Sequence, residues 1–542
     1  MKHDFTRRRF VSGVCGAVAV GAFKTTPFAS GQSIAQSSSD SQGLMATTEY
    51  GSVRGATLGG VSAFLGVPYG GPTEGNARFM VPQAPQPWKN ARDCTKPGPR
   101  AIQGPGSIFT NPAIGAYFSG GTPDAAQRTY QPDSENCLVL NVLTPGLRGH
   151  RPVMVYIHGG GFSGGSGILT ALGDRFVAEV DVVLVGINHR LNMFGYTYLG
   201  DIDPKYEDSG NVGQLDLIAA LQWVKKNISN FGGDAGNVTI FGESGGGAKV
   251  STLLAMPAAK GLFRRAIIQS GSLLKVRTKE AATEDAKNWL QKLGVKSASE
   301  LLTIPAEQLL KVPAAQGGMG PGPVIDGRSI PHQTWDRGAP PEAAGVDLLV
   351  GNCKDESTLF VGMSGSQLFS LDWDSLKKEV IKRGIPEEIS VDLIASYRQD
   401  YPSESASDIY FRLSSDQGAR RNALTQAELK LAQNSGKVYM YHFDWNTPVD
   451  GGKLRAFHTA DLPLEMRLVL YPEAEELSRQ LAGAWAAFAR TGDPNHKGLA
   501  EWAPYSLEKR ATMSFDIPTS QVIFNPAGTQ LKIMRPYPGG LL

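Results

Sequence analysis

The 542-residue chain carries Gly242-Glu243-Ser244-Gly245-Gly246 directly after the apolar run Val238-Thr239-Ile240-Phe241. In such a G-x-S-x-G pattern a sharp strand-to-helix turn holds the serine in a strained conformation and exposes its hydroxyl for attack. Glycine flanks it because only a missing Cβ lets the chain pack so tightly. Ala248 to Met256 predicts a following helix, whose N-terminus favours negative charge at the serine. A second glycine run, His158-Gly159-Gly160-Gly161-Phe162, follows Val153 to Ile157 and offers backbone N–H groups to an oxyanion. Gly159, Gly161 and Gly164 also fit G-x-G-x-x-G, but a dinucleotide site needs an acid at the end of the next strand. That strand ends Ile187-Asn188-His189-Arg190, with no carboxylate. The chemistry indicated is acyl transfer through a serine.

Such a serine needs a base and an orienting carboxylate, in the chain order serine, acid, histidine for this strand-to-helix arrangement. Of the eight histidines, only His332, His442, His458 and His496 follow Ser244. His442 sits within an apolar strand, and His332 and His496 in polar, Pro-containing loops. His458 lies in a loop after the strand expected at Val438 to Trp445, which suits a base. Asp355-Glu356 follows strand Leu348 to Val350, and position allows either carboxylate.

Short β-branched runs must position these groups: 153–157, 182–187, 238–241, 266–268 and 348–350. Such runs read as strands buried on both faces of a mostly parallel sheet. Leu217, Leu221, Val224 and Ile228 form one helical stripe between two of them. The alternation predicts an α/β fold. After about residue 275 the texture turns helical, at 280–293, 299–312 and 376–431, which reads as an insertion over the sheet. A long Ala-rich helix is expected at 473–491.

With 41% hydrophobic and 19% charged residues, the chain has the composition of a globular protein with a large core. Its 64 Gly and 34 Pro make it loop-rich, without a collagen period. A formal charge of +2 gives no case for nucleic-acid binding. Part of that charge lies in residues 1–35, without which the balance is −2. There Arg7-Arg8-Arg9 precede a weakly apolar stretch, Phe10 to Phe23, too short for a bilayer span of roughly 17 to 25 residues. Thr6-Arg7-Arg8-Arg9-Phe10-Val11 resembles a twin-arginine export signal, cleaved near Ala29 or Ala35. That resemblance implies the twin-arginine machinery as partner of the precursor and a periplasmic or secreted bacterial protein, exported folded. The division expected is a signal at 1–35, a flexible mature terminus at 36–45 and one domain over 46–542. No later apolar run is long enough for a stable membrane span, so the mature chain is expected to be soluble. Cys94, Cys137 and Cys353 remain after Cys15 is lost; free thiols are expected, a Cys94–Cys137 bridge being the alternative. No C-x-x-C or H-E-x-x-H occurs, and neither metal nor cofactor is expected.

The order of motifs resembles the type-B carboxylesterases, the α/β-hydrolase family that includes cholinesterases and bacterial p-nitrobenzyl esterases. The resemblance runs from about Tyr50 towards the C-terminus. It rests on Gly66-Val67-Pro68-Tyr69, Ala77-Arg78-Phe79, Ser134-Glu135-Asn136-Cys137-Leu138 and His158 to Phe162. It continues through Asn188-His189-Arg190-Leu191, Phe231-Gly232-Gly233-Asp234, Phe241 to Gly246, Gln269-Ser270-Gly271-Ser272, Asp355-Glu356 and Ala456-Phe457-His458. It implies an α/β-hydrolase fold, with Ser244 as nucleophile, Glu356 as acid and His458 as base. The N–H groups of Gly160, Gly161 and Gly245 would form the oxyanion hole. Gly245 departs from the usual alanine, and His189 stands where tyrosine is common. Cys137 matches a disulfide cysteine whose usual partner position, within Gly98 to Ala101, holds alanine.

The function implied is hydrolysis of small-molecule carboxylic esters through an acyl-enzyme. Amidase, carbamate hydrolase, thioesterase or acyltransferase chemistry would use the same triad, whereas a binding module would have no reason to keep it. Tyr117, Phe118, Phe162 and Phe360 are candidate pocket walls, with ordinary core packing the alternative for each; as walls they point to small or medium, apolar or aromatic esters. Structural roles are expected for Ser270 at the acid loop, for His158 as a brace of the glycine loop and for Cys353 as a buried thiol.

Overall fold

The structure, a computed structural model, describes residues 43–104, 111–313, 321–363 and 367–539. The expected signal at 1–35 and residues 36–42 of the expected mature terminus lie outside the described residues.

Eleven strands form one sheet: β1 (Ala56–Leu58), β2 (Val61–Pro68), β3 (Val139–Thr144), β4 (Arg151–Ile157), β5 (Val183–Ile187), β6 (Gly233–Glu243), β7 (Arg265–Gln269), β8 (Asp347–Cys353), β9 (Val438–Phe443), β10 (Ala511–Phe515) and β11 (Gln521–Phe524). Their spatial order is β11-β10-β9-β8-β7-β6-β4-β5-β3-β2-β1. From β5 across to β10 every neighbour is parallel. The pairs at the two ends of the sheet, β1–β2, β2–β3, β3–β5 and β10–β11, are antiparallel. This is the mostly parallel α/β sheet expected.

The topology decides where chemistry can sit. From β4 the chain moves to β5 on one side, then returns as β6 on the other. That reversal opens a crevice beyond the carboxyl ends of β4 and β6, the place where open α/β sheets bind ligands. Both glycine motifs leave the sheet there.

Parallel strands need cover on both faces. Val153, Val155 and Ile157 of β4 share one core cluster with Leu217, Leu221 and Val224 of α1 (Val212–Asn227). Met154 and Tyr156 point the other way, into a cluster with Leu477, Leu481, Trp485 and Phe488 of the long helix Glu475–Thr491. The alternation of strand side chains thus splits one run of sequence between two cores. Truncating Ile157 to alanine would cost about 2–5 kcal/mol.

The helical insertion falls into two blocks, with β8 between them. In the first, Lys279–Leu293 starts on a Thr278 cap and stops at Gly294 in the left-handed conformation, φ 70°. It buries Trp289 against Phe79 and the 301–309 segment. The helix expected at 299–312 is only a 3-10 turn, Ala298–Leu302, and a short helix, Ala306–Leu310. Pro305 lies between them and disfavours helix in the residue before it. The second block packs Trp373–Lys382, Glu387–Asp400 and Ala406–Ser415 around Leu376, Leu393, Tyr397 and Phe411. Among the described residues Cys94, Cys137 and Cys353 are buried free thiols, and Cys94 and Cys137 do not pair with each other. Among the described residues, no helix is long and apolar enough to cross a membrane.

Candidate active site

Strand β6 ends at Glu243 and helix α2 (Gly245–Leu253) begins two residues later, so Ser244 alone makes the turn. Its backbone sits at φ 56°, ψ −124°, a conformation that costs a non-glycine residue about 1–3 kcal/mol. The Ser244 N–H donates to the Gln269 carbonyl of β7 at 2.8 Å, which fixes the turn to the sheet. Gly246 is required by close approach: a Cβ there would lie 2.0 Å from the Ile157 carbonyl oxygen.

The loop after β4 lies against this turn. A Cβ on Gly159 would be 3.4 Å from Ser244 Cβ, and one on Gly245 would be 2.2 Å from the Gly161 oxygen. Gly160 and Gly161 have φ values of 87° and 60°. The N–H groups of Gly160, Gly161 and Gly245 make no hydrogen bond among the described residues. His158 Nδ1 meets the Gly159 oxygen at 2.9 Å, the bracing expected of it.

Of the adjacent carboxylates, the structure brings Glu356 to His458. Glu356 Oε2 contacts His458 Nδ1, and both side chains are buried. Its Oε1 accepts from Ser270 Oγ at 2.6 Å and from the Cys353 N–H at 2.8 Å. Ser270 and Cys353 therefore hold the structural places expected. Asp355 is turned away by a parallel bridge to Phe457, and its Oδ2 lies 3.7 Å from Lys354 Nζ.

Among the described residues His458 Nε2 makes no hydrogen bond, to Ser244 or any other group, and it lies 3.3 Å from Glu243 Oε1. Burial pushes the imidazole down, but Glu243 and then Glu356 outweigh it and bring it up to about 9. Glu243 itself is held well above the usual carboxyl range by burial, against the pull of His458. Glu243 was not singled out by the sequence reading, although it stands inside the G-x-S-x-G pattern. Lys249, buried on α2 with Nζ 2.7 Å from the Gly161 oxygen, was missed as well. A lysine inside a helix of small and apolar residues is the signal that could have found it.

Three of the four aromatic wall candidates take the core alternative. Tyr117 is fully buried and donates to the Ala460 carbonyl at 2.6 Å, while Phe118 is 5% exposed and Phe162 3%. Phe360 alone is exposed, at 39%, with its ring centroid 5.2 Å from that of His458. Among the described residues no group of three or more His, Cys, Asp or Glu side chains could hold a metal ion.

Residues 42–534 match the model of the carboxylesterase family. The para-nitrobenzyl esterase of Bacillus subtilis (strain 168) is 34% identical over 496 residues, covering 87% of this chain and 94% of the relative. The liver carboxylesterase of Sus scrofa is 32% identical over 497 residues, covering 83% and 84%. Among solved structures, a Geobacillus stearothermophilus carboxylesterase superimposes with a TM-score of 0.74 at 34% identity, covering 90% of this chain and 99% of that one. A Clostridium hathewayi esterase described as hydrolysing aliphatic aromatic polyesters gives 0.75 at 29% identity, covering 92% and 99%. The chain belongs to the carboxylesterase family, with its α/β-hydrolase fold, and is a carboxylic ester hydrolase.

Proposed function

We propose that this hydrolase works through an acyl-enzyme on Ser244. His458 Nε2 takes the hydroxyl proton as Ser244 Oγ attacks the ester carbonyl, and the N–H groups of Gly160, Gly161 and Gly245 receive the oxyanion. Collapse of the tetrahedral adduct breaks the bond to the alkoxy group, which leaves as alcohol with the proton from His458. Water, deprotonated by the same nitrogen, then attacks the acyl carbonyl and releases acid and free serine. Glu356 holds the imidazole through Nδ1 and stabilises its cation. The observation that carries this reading is the division of His458: one nitrogen is committed to a buried carboxylate, and the other has no hydrogen bond among the described residues. Hydrolysis of p-nitrophenyl butyrate by Ser244→Ala is the test, with kcat expected to fall by about four orders of magnitude or more. Retained near-native activity would sink the reading.

The proposed substrates are small or medium, apolar or aromatic esters. Exposed Phe360 beside His458 supports this, as do the para-nitrobenzyl and aliphatic aromatic substrates in the relatives' names. An ester panel varying acyl length and leaving group tests it; a preference for charged, highly polar esters would contradict it. For the precursor, Arg7-Arg8-Arg9 supports twin-arginine export to the periplasm or medium, with 1–35 as signal and one domain over 46–542. Replacing all three arginines by lysine is expected to leave the protein in the cytoplasm, and unchanged export would contradict it.

A further inference from the structure

That mechanism leaves the buried cationic side chain of Lys249, beside the glycine loop, without a role. Lys249 lies on α2 one helical turn beyond Gly245, with no exposed surface. No carboxylate pairs with it among the described residues. Nζ donates to the His158 carbonyl at 3.0 Å and to the Gly161 carbonyl at 2.7 Å, and sits 5.5 Å from the Phe162 ring centroid. Burying an unpaired charge is costly, and here burial pushes the amino group down to about 7. In either protonation state Nζ keeps at least two N–H donors, enough for both carbonyls.

Both hydrogen bonds go to one loop, and they bracket it. His158 and Gly161 stand at the two ends of the segment that carries the Gly160 and Gly161 N–H groups. The same helix face holds Gly161 from a second position. Gly245, four residues before Lys249, has no Cβ, and one placed there would be 2.2 Å from the Gly161 oxygen and 2.5 Å from its nitrogen. The bare glycine admits the Gly161 carbonyl and the lysine one turn on receives it. The other titratable neighbours are His158 and His189, stacked at 4.8 Å. Burial first, then Lys249, lowers both, so they stay neutral and place no competing charge on the loop.

We propose that Lys249 is a positioning residue for ester hydrolysis: it locks the Gly159–Gly161 loop onto the first turn of α2, so that the three oxyanion donors converge before substrate binds. This rests on the oxyanion reading above. Fixed donors stabilise a developing charge without reorganising at the moment of reaction, and misplacing them by about 1 Å can cost roughly 100-fold.

Lys249→Met keeps an unbranched apolar stem, one atom shorter, and removes both donors. Its kcat on p-nitrophenyl butyrate is expected to fall about 10- to 100-fold, with KM within about 3-fold of wild type. Affinity for a trifluoromethyl ketone, which forms an oxyanionic adduct with the serine, should fall by the same factor as kcat/KM. A non-electrophilic ketone of the same shape should compete unchanged. A kcat within about 3-fold of wild type, or a loss in which adduct affinity does not follow kcat/KM, would overturn the proposal. Should that variant not fold, Lys249→Gln, which keeps amide N–H donors on a shorter stem, is put through the same measurements, and the same division of kcat, KM and adduct affinity decides the matter. Ser244→Ala in parallel separates the two readings. If it abolishes hydrolysis while Lys249→Met leaves kcat intact, only the lysine proposal fails; if it stays active, the serine reading fails.

Discussion

Ser270 donates its hydroxyl hydrogen to Glu356 Oε1 at 2.6 Å, while the other carboxylate oxygen faces His458. The three residues come from loops after β7, β8 and β9, so adjacent parallel strands supply carboxylate support, carboxylate and imidazole in spatial order. Hydrogen bonds to charged groups are worth about 1.5–3 kcal/mol, and the Cys353 N–H still holds Oε1 when Ser270 is lost. Ser270→Ala is therefore expected to lower kcat about 10-fold with KM nearly unchanged. Steady-state kinetics checks this; a loss as large as that of Ser244→Ala would mean that Ser270 does more than support the acid.

Adjacent carboxylates should behave very differently. Glu356→Gln removes the charge that orients His458 and stabilises its cation, and kcat is expected to fall by about four orders of magnitude. Asp355 faces Lys354 and the 456–457 backbone, so Asp355→Asn is expected to alter stability and leave kcat within about 10-fold. Measuring kcat and thermal unfolding for both variants tests the assignment, and the reverse order of losses would overturn it.

His458 accepts a proton only when neutral, so kcat/KM should rise with pH through its pKa. Glu243 and Glu356, opposing burial, push that pKa up to about 9. Glu243→Gln removes one of those influences and is expected to move the acidic limb of the profile to lower pH. An unmoved limb, or one displaced upward, would show that Glu243 does not set the titration.

Lys249 also links stability to pH. Burial lowers the folded-state value from 10.5 to about 7. Below about 7 the amine is protonated whether folded or unfolded. Between about 7 and 10.5 the unfolded chain binds the extra proton, so this group makes stability rise with pH across that window. Denaturant unfolding of wild type and Lys249→Met at pH 6.5, 8 and 9.5 should show the difference between them changing in that direction. A difference independent of pH would contradict it.

The central parallel strands were legible because burial on both faces leaves an unbroken apolar run, as in Val153 to Ile157. The glycine motifs were legible because close packing at the turn leaves no alternative residue. The outer strands were not. β2 contains Gly66 and Pro68, β11 is half exposed, and β1 has only three residues, so no period stands out. The choice between Asp355 and Glu356 was closed to spacing, because neighbouring residues share a position and the bridge at Asp355 decides which side chain turns to His458. Pocket walls were equally closed to it, since Tyr117 and Phe360 look alike in sequence and differ only in what the fold lays over them.

Covalent labelling with a fluorophosphonate, followed by peptide mass analysis, tests the serine mechanism most directly. The expected result is one phosphonyl adduct on the peptide containing Ser244, formed in step with loss of ester hydrolysis and absent from Ser244→Ala. An adduct on another residue that tracks the loss of activity, or full hydrolysis with Ser244 phosphonylated, would contradict it.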